Sequence, residues 1–542
     1  MYYAAMFAEV NWPNLALFLI VAITANRLYY IAKNAYLLRK WNTGTPKAYG
    51  TGFLGLLYVK KLKDLRSSGY FQDYLKLQYD ELDTNTFTQS VLGQKVIVTR
   101  SPQNMKAALS TQFDDFGIGP RRAAFRPLLG NGVFAADGHQ WKDSRMMLRP
   151  QFTREQVGHV KALEHHLQTF VLIIRKQNGQ PFDIQPIFSD LTLDASTEFL
   201  LGESVHFLRD RLMEQTKKSQ DDEISESYGP VEKRDSEKCS DYDFSKERVS
   251  FENSLKRLLE VLAQRASLLK YYWLIDFKSF REDIQTVHDF ALRFVQQALA
   301  MSPEELEFKS RDSYTILYEL VKVSRDPIVV RDQMLNVMLA GRSTTASLLT
   351  STIFELSRHP KVWQRLRQEV ISYFGLGESP YDLENITFES LKRCTYLKWV
   401  INETLRLYPP VGSNFRMARR DTTLPNGGGP NGTQPILVNK GQIVAFHIYS
   451  VQRLREFFGE DAETYLPERW ANLSKIGWAF MPFGSGPRVC LGQQFALTET
   501  SYVIVRLAQL FPEIASFSDT YPPRKTPNAT MQHMDGVQVS FK

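Results

Sequence analysis

Cysteine is scarce in this chain: Cys239, Cys394 and Cys490 are the only ones in 542 residues. An odd, widely spaced set builds neither a disulfide framework nor a zinc site, so any cysteine chemistry is done singly or with a cofactor. The body of such a chain is expected in a reducing compartment. No repeat of solenoid or propeller length is present. No G-x-G-x-x-G sits between a strand and a helix, which argues against a built-in flavin or nicotinamide domain. Charge of one sign is also limited. The net charge of +7 is diffuse, which speaks against nucleic acid and only weakly for an acidic partner or anionic membrane surface. With 43% apolar and 23% charged residues, the chain is globular, long enough for one large core or two intimate lobes.

One long stretch has no charge at all, from Val10 to Asn26, and apolar character resumes after Arg27 up to Ala32. A helix needs about 20 residues to cross a bilayer core of roughly 30 Å. Trp12, Tyr29 and Tyr30 stand where interfacial anchors stand, and Arg27 can snorkel. A cleaved signal fits poorly, because the only early charge is Glu9 and no small-residue cleavage site is evident. The expected organisation is a lumenal tail at 1–9, a transmembrane signal anchor at 10–32, a linker at 33–60 and one folded domain at 61–542. Arg27, Lys33, Arg39 and Lys40 lie near or beyond the far end of the span, so that domain is expected on the cytosolic side. The sequons at Asn385, Asn402, Asn431, Asn472 and Asn528 would then stay unmodified.

Helical patterns prevail from 65 to 208, with a strand-like run at Val96–Val98. Residues 217–250, which hold Cys239, are polar and read as an exposed, mobile loop. Helical periodicity returns over 251–300, 313–375 and 391–408, the last stopped by Pro409-Pro410. Residues 416–451 read as short strands and turns, and 492–511 as a helix. The fold class is mainly α: a large helical domain with a small β region, preceded by one N-terminal transmembrane helix.

The segment Phe483-Gly484-Ser485-Gly486-Pro487-Arg488-Val489-Cys490-Leu491-Gly492 is a loop followed at once by a helix. A cysteine at a helix start has its thiolate favoured by free N–H groups and the helix dipole. Gly486 and Gly492 would let the backbone approach a flat macrocycle, and Arg488 can reach an anionic carboxylate on it. With F-x-x-G-x-R-x-C-x-G complete, the chain resembles the cytochrome P450 family. Three further segments match that family in its order. Trp141 to Arg145 is similar to its W-x-x-x-R helix, whose Trp and Arg contact haem propionates. Ala340-Gly341-Arg342-Ser343-Thr344-Thr345 is similar to its oxygen-activation groove. Glu403-Thr404-Leu405-Arg406 is similar to its E-x-x-R helix, with Arg469 as the third structural member.

The resemblance implies the cytochrome P450 fold over 61–542 as a catalytic domain. It implies haem b, with Cys490 as axial ligand to the iron and Phe483, Gly486 and Gly492 in the binding loop. Trp141, Arg145, Arg416 and Arg488 are the expected propionate partners. Thr344 is the expected hydroxyl beside bound oxygen, with Ser343 as a proton relay and Gly341 as the place where the helix opens. Ser343 departs from the family, which commonly has an acid there. Ala340 stands where some relatives carry a glutamate esterified to haem, so non-covalent haem is expected. O2 is the co-substrate, and NADPH serves indirectly through NADPH-cytochrome P450 reductase, with cytochrome b5 as a further partner. The lipid bilayer and a lipophilic substrate complete the expected partners, in the endoplasmic reticulum membrane.

The runs Asn414–Gly429, Ala340–Leu349 and Trp141–Phe152 are most similar to the fungal alkane and fatty-acid hydroxylase branch, which oxidises terminal methyl groups. A P450 tailoring a secondary metabolite is an alternative. So is a haem-binding protein without turnover, against which Thr344, Glu403, Arg406 and Cys490 all speak. A haem-thiolate isomerase is disfavoured because Thr344 is kept.

Overall fold

The computed structural model describes residues 12–152, 160–219, 241–312, 314–526 and 528–542. Helix α1 runs over Trp12–Lys40. Its segment Pro13–Lys40 is long and apolar enough to cross a membrane; its most apolar stretch is exposed, while Leu37 near the domain end is buried. The helix overruns the expected end at 32 because no proline or glycine interrupts it before Gly44. The expected 33–60 linker is correspondingly ordered. Strand β1, Lys47–Ala48, joins a sheet in parallel with β2, Thr86–Val91. Lys33 also pairs with Asp421 at 2.7 Å, which ties the end of the apolar helix to the folded domain. The tail at 1–9 lies outside the described residues.

That sheet is six-stranded. It continues through β3, Gln94–Thr99, and ends on the short β4, Phe116–Gly117; between them lie β5, Ser413–Ala418, and β6, Ile443–His447. The predicted strand at Val96–Val98 is the middle of β3. The expected β region at 416–451 thus pairs with strands more than 300 residues earlier, Ile97 opposite Val444 and Phe116 opposite Ala418.

The helical part is built round one helix. Helices α2, Gly138–Leu148, α3, Val160–Arg175, and α4, Gln185–Leu201, precede it. The central helix α5 spans Pro327–Leu356, opened by Asp326, whose side chain accepts the N–H groups of Ile328 and Val329. It is followed by α6, Thr395–Leu407, and α7, Gln493–Leu510. Helices α4, α6 and α7 pack with α5. The first half of α5, from Val330 to Met338, belongs to one hydrophobic cluster. The second half, from Ala346 to Leu356, belongs to another. The turn between them is left to face a cavity.

Two expected boundaries change. Residues 217–219 end the helix Phe207–Ser219, and 241–250 begin the helix Asp241–Ser267. Charge density alone did not exclude helix there, because Arg248 turns inward and donates to the Val205 carbonyl at 2.6 Å. Cys239 and the rest of the expected loop lie outside the described residues. The helix expected over 391–408 is broken at Cys394. Glu369 supplies the reason: its carboxylate accepts the N–H groups of Tyr396 and Leu397, at 2.9 and 3.2 Å, and so starts α6 afresh.

An E-x-x-R pair on a solvated helix is worth only about 0.2–0.5 kcal/mol. Here both residues are fully buried. Arg406 donates two hydrogen bonds to Glu403, at 2.9 and 2.8 Å. Arg469 adds one at 2.8 Å, Trp470 Nε1 another at 3.0 Å and the Leu466 N–H a third at 2.9 Å. One carboxylate therefore holds α6 to the segment 466–470. Glu403→Gln removes the charge that two buried guanidinium groups share at that point. It is expected to cost about 3–5 kcal/mol, seen as an earlier midpoint in urea unfolding followed by circular dichroism.

Candidate active site

The cysteine loop is shaped by its own backbone. The Gly484 N–H bonds the Met481 carbonyl, the Val489 N–H bonds that of Gly486, and the Cys490 N–H returns to Phe483, each at 3.0 Å. Gly484 and Gly486 have φ of 70° and 74°, a region that favours glycine. At Gly486 a Cβ would also lie 2.0 Å from the Leu109 carbonyl oxygen, so this position is closed to any larger residue. Gly492 has no such need, since a Cβ there would meet only the Phe152 ring at 3.6 Å. It serves instead as the residue from which α7 starts.

The Cys490 thiol is exposed into a cavity that Phe483 and Gly484 also line. Surrounding protein desolvates it and pushes its pKa up, while the Gly492 N–H and the Arg145 guanidinium pull the other way. The expected help from the helix start is present. Desolvation outweighs it, and a metal bound at the sulfur would favour the thiolate.

Positive charge gathers along the same cavity. Arg121, Arg145, Arg416 and Arg488 all line it. Trp141 and Arg145 lie one turn apart on α2, as their spacing predicts, and Arg145 donates to the Val489 carbonyl at 3.0 Å. Arg488 lies 4.3 Å above the Trp141 ring and pairs with Asp137 at 2.6 Å. Arg416, buried on β5, donates to the Phe415 carbonyl at 2.9 Å. Arg121 donates to the Asn414 side chain. Burial lowers Arg121 and Arg488 to about 10 and Arg416 to about 9, and neighbouring guanidinium groups add to each shift. Asp137 is shared between Arg488 and Arg419 and cannot balance the set. A ligand with two carboxylates would relieve this excess. Arg121 is the member that sequence reasoning missed; it lies beside Arg122 with no family motif or i,i+4 partner to mark it.

Another part of the wall comes from α5. Ala340, Gly341, Thr344 and Thr345 line the cavity. The Thr344 hydroxyl donates back to the Ala340 carbonyl at 2.7 Å. A Cβ at Gly341 would lie 3.2 Å from Ser196 Oγ on α4, a buried hydroxyl without a hydrogen-bond partner. Ser343 does not join them. Its hydroxyl lies 2.9 Å from Thr530 Oγ1, and it is absent from the cavity wall, because it sits about 100° round the helix from Thr344. No aspartate or glutamate lines the cavity among the described residues, so no carboxylate stands ready to esterify a cofactor. Among those residues no cluster of His, Cys, Asp or Glu could hold a bare metal ion either. The arrangement is a single thiol and a band of cations round an otherwise largely apolar space. It fits a flat dianionic macrocycle carrying its own metal.

A family model described as Cytochrome P450 matches residues 52–541. The chain belongs to the cytochrome P450 family. Curated relatives cover nearly all of it. Cytochrome P450 52A13 of Debaryomyces hansenii is 48% identical over 92% of this chain and 91% of its own length. Cytochrome P450 52A3-B of Candida maltosa is 45% identical over 94% of each. Cytochrome P450 52A6 of Candida tropicalis is 46% identical over 92% of this chain and 91% of its own length. As a P450 the protein is a haem-thiolate monooxygenase. It uses non-covalent haem b, O2 and NADPH electrons delivered by a reductase, and it acts on a lipophilic substrate. Bound haem supplies activation of dioxygen, and the protein supplies the thiolate, the charge balance and the walls.

Arg121→Ala is expected to loosen haem by about tenfold, as for one lost charge-assisted hydrogen bond, read as faster haem transfer to apomyoglobin. Cys490→Ser is expected to abolish the thiolate-type Soret band of the reduced carbon monoxide complex, checked by difference spectroscopy on membranes.

Proposed function

We propose that this P450 hydroxylates the terminal carbon of long-chain alkanes or fatty acids. The carrying observation is the resemblance of Trp141–Phe152, Ala340–Leu349 and Asn414–Gly429 to the fungal hydroxylase branch with that activity. The cavity supports it. Phe134, Phe199, Leu200, Val337 and Phe495 on its walls are apolar, so a hydrocarbon chain enters without stranding donors or acceptors. Only the terminal carbon of such a chain is sterically distinct. Selecting it is a matter of where the walls stop the chain.

In this reading Cys490 ligates the iron. Trp141, Arg121, Arg145, Arg416 and Arg488 hold the carboxylates of the cofactor. Thr344 offers its hydroxyl beside the reacting atoms, and Gly341 lets α4 and α5 approach closely there. Phe483, Gly486 and Gly492 shape the cysteine loop, while Glu403, Arg406 and Arg469 are structural.

The apolar N-terminal helix anchors the protein in a membrane as a single pass. The endoplasmic reticulum is the proposed site, with the tail at 1–9 lumenal, the span beginning near residue 10 and the catalytic domain cytosolic. Lys33, Arg39 and Lys40 at the domain end of α1 support that orientation. The proposed electron donor is NADPH-cytochrome P450 reductase, with cytochrome b5 as a second.

Membranes containing the protein and the reductase, supplied with NADPH, are expected to convert lauric acid to its terminal alcohol and hexadecane to 1-hexadecanol, identified by mass spectrometry. Subterminal alcohols alone, or no product from either, would remove the proposed substrate.

A further inference from the structure

Ser343, Ser347 and Ser351 stand at i, i+4 and i+8 on α5, so they share one stripe of the helix. One short segment near the C-terminus engages all three. Ser343 Oγ lies 2.9 Å from Thr530 Oγ1. Ser347 Oγ donates to the Met531 carbonyl. Ser351 Oγ lies 3.0 Å from His533 Nε2. Ser347, Ser351, Met531 and His533 are buried. The segment is also held from its other side. The Met531 N–H donates to the Pro410 carbonyl at 2.8 Å. The His533 backbone exchanges two hydrogen bonds with the Gln185 side-chain amide, at 2.9 and 3.0 Å. Pro410 and Val411 line the cavity, and a Cβ at Gly412 would meet Met531 Sδ at 3.1 Å. Residues 530–533 therefore pack directly behind one wall of the cavity.

We infer that Ser343 is a positioning residue, the outermost rung of a three-serine ladder that fixes residues 530–533 behind the Pro410–Val411 wall and so sets which carbon of the substrate is oxidised. The inference deepens the proposed function and rests on it. Ser347 and Ser351 are sealed in the core, whereas Ser343 and Thr530 remain half-buried at the open end of the ladder. That rung is the one whose loss frees the segment without leaving a hole in the core. A neutral hydroxyl suits it, because it closes on Thr530 without burying a charge. The position commonly held by an acid thus supports a wall here instead of supplying a proton.

The test uses full-length, membrane-bound holoprotein as wild type, Ser343→Ala, Thr530→Val, the double variant and Ser343→Thr. Two quantities are read: hydrogen–deuterium exchange over residues 528–534, and the ratio of terminal to subterminal hydroxylation of lauric acid. Each single variant is expected to exchange about fivefold faster there, as for one lost neutral hydrogen bond. Each is expected to move the product ratio the same way, towards subterminal carbons. The double variant should go no further than either single one, and Ser343→Thr should restore both readouts. A product ratio that Ser343→Ala changes and Thr530→Val does not would overturn the ladder in favour of a proton relay. Unchanged exchange in both single variants would overturn it as well. Should wild type leave lauric acid untouched, the proposed substrate fails while the exchange data still decide the ladder.

Discussion

Positive charge that the protein does not balance by itself dominates one end of the cavity. Arg121, Arg416 and Arg488 are desolvated there with the shared Asp137 as their carboxylate neighbour among the described residues, and burial pulls the pKa of each down. Several distant segments converge to create the cluster: the helix beginning at Arg121, α2, β5 and the cysteine loop. A dianionic cofactor is thus a structural component as much as a chemical one. Its carboxylates would supply counter-charge that the chain leaves out, and its metal would supply the cation that holds Cys490 deprotonated.

The second organising element is the divided core along α5. Each half of that helix is buried in its own cluster, so the turn at Ala340–Thr344 is the place where the helix is free to face a ligand. Polar residues one and two turns before Ala340, on the same stripe of α5, hold the neighbouring loops. Asp332 accepts the Asn131 N–H at 3.0 Å and Asn336 accepts the Phe134 N–H at 2.9 Å, which sets Val133 and Phe134 on the cavity wall. Glycine at 130 and 132 is required by this contact, since a Cβ at either would fall within 2.0 Å of those side chains. The serines further along the helix do the same for the C-terminal segment. One helix therefore lines the cavity, supports two of its walls and anchors the core at once.

Much of the site was legible in the sequence because its parts are local. The loop Phe483–Gly492 announces itself by a required order of glycine, arginine and cysteine over ten residues. Trp141 with Arg145, and Glu403 with Arg406, are helical neighbours whose spacing places them on one face. Arg121 was not legible, since its role comes from burial beside Arg416 and Arg488, far apart in the chain. The direction of Ser343 was not legible for a related reason: its neighbour Thr344 faces the cavity, and one step along a helix turns a side chain away from it.

The sequence by itself determined the long apolar N-terminal helix, the mainly helical class, the cysteine loop and the family, because each depends on short-range pattern: apolar length, periodicity or a contiguous motif. Tertiary structure alone decided which cations share the cavity, which hydroxyl faces it, where the helix before α6 breaks and that the thiol's pKa is raised rather than lowered. All four depend on desolvation and on contacts between residues distant in the chain. Neither is encoded in local spacing, so they exist only once the chain has folded.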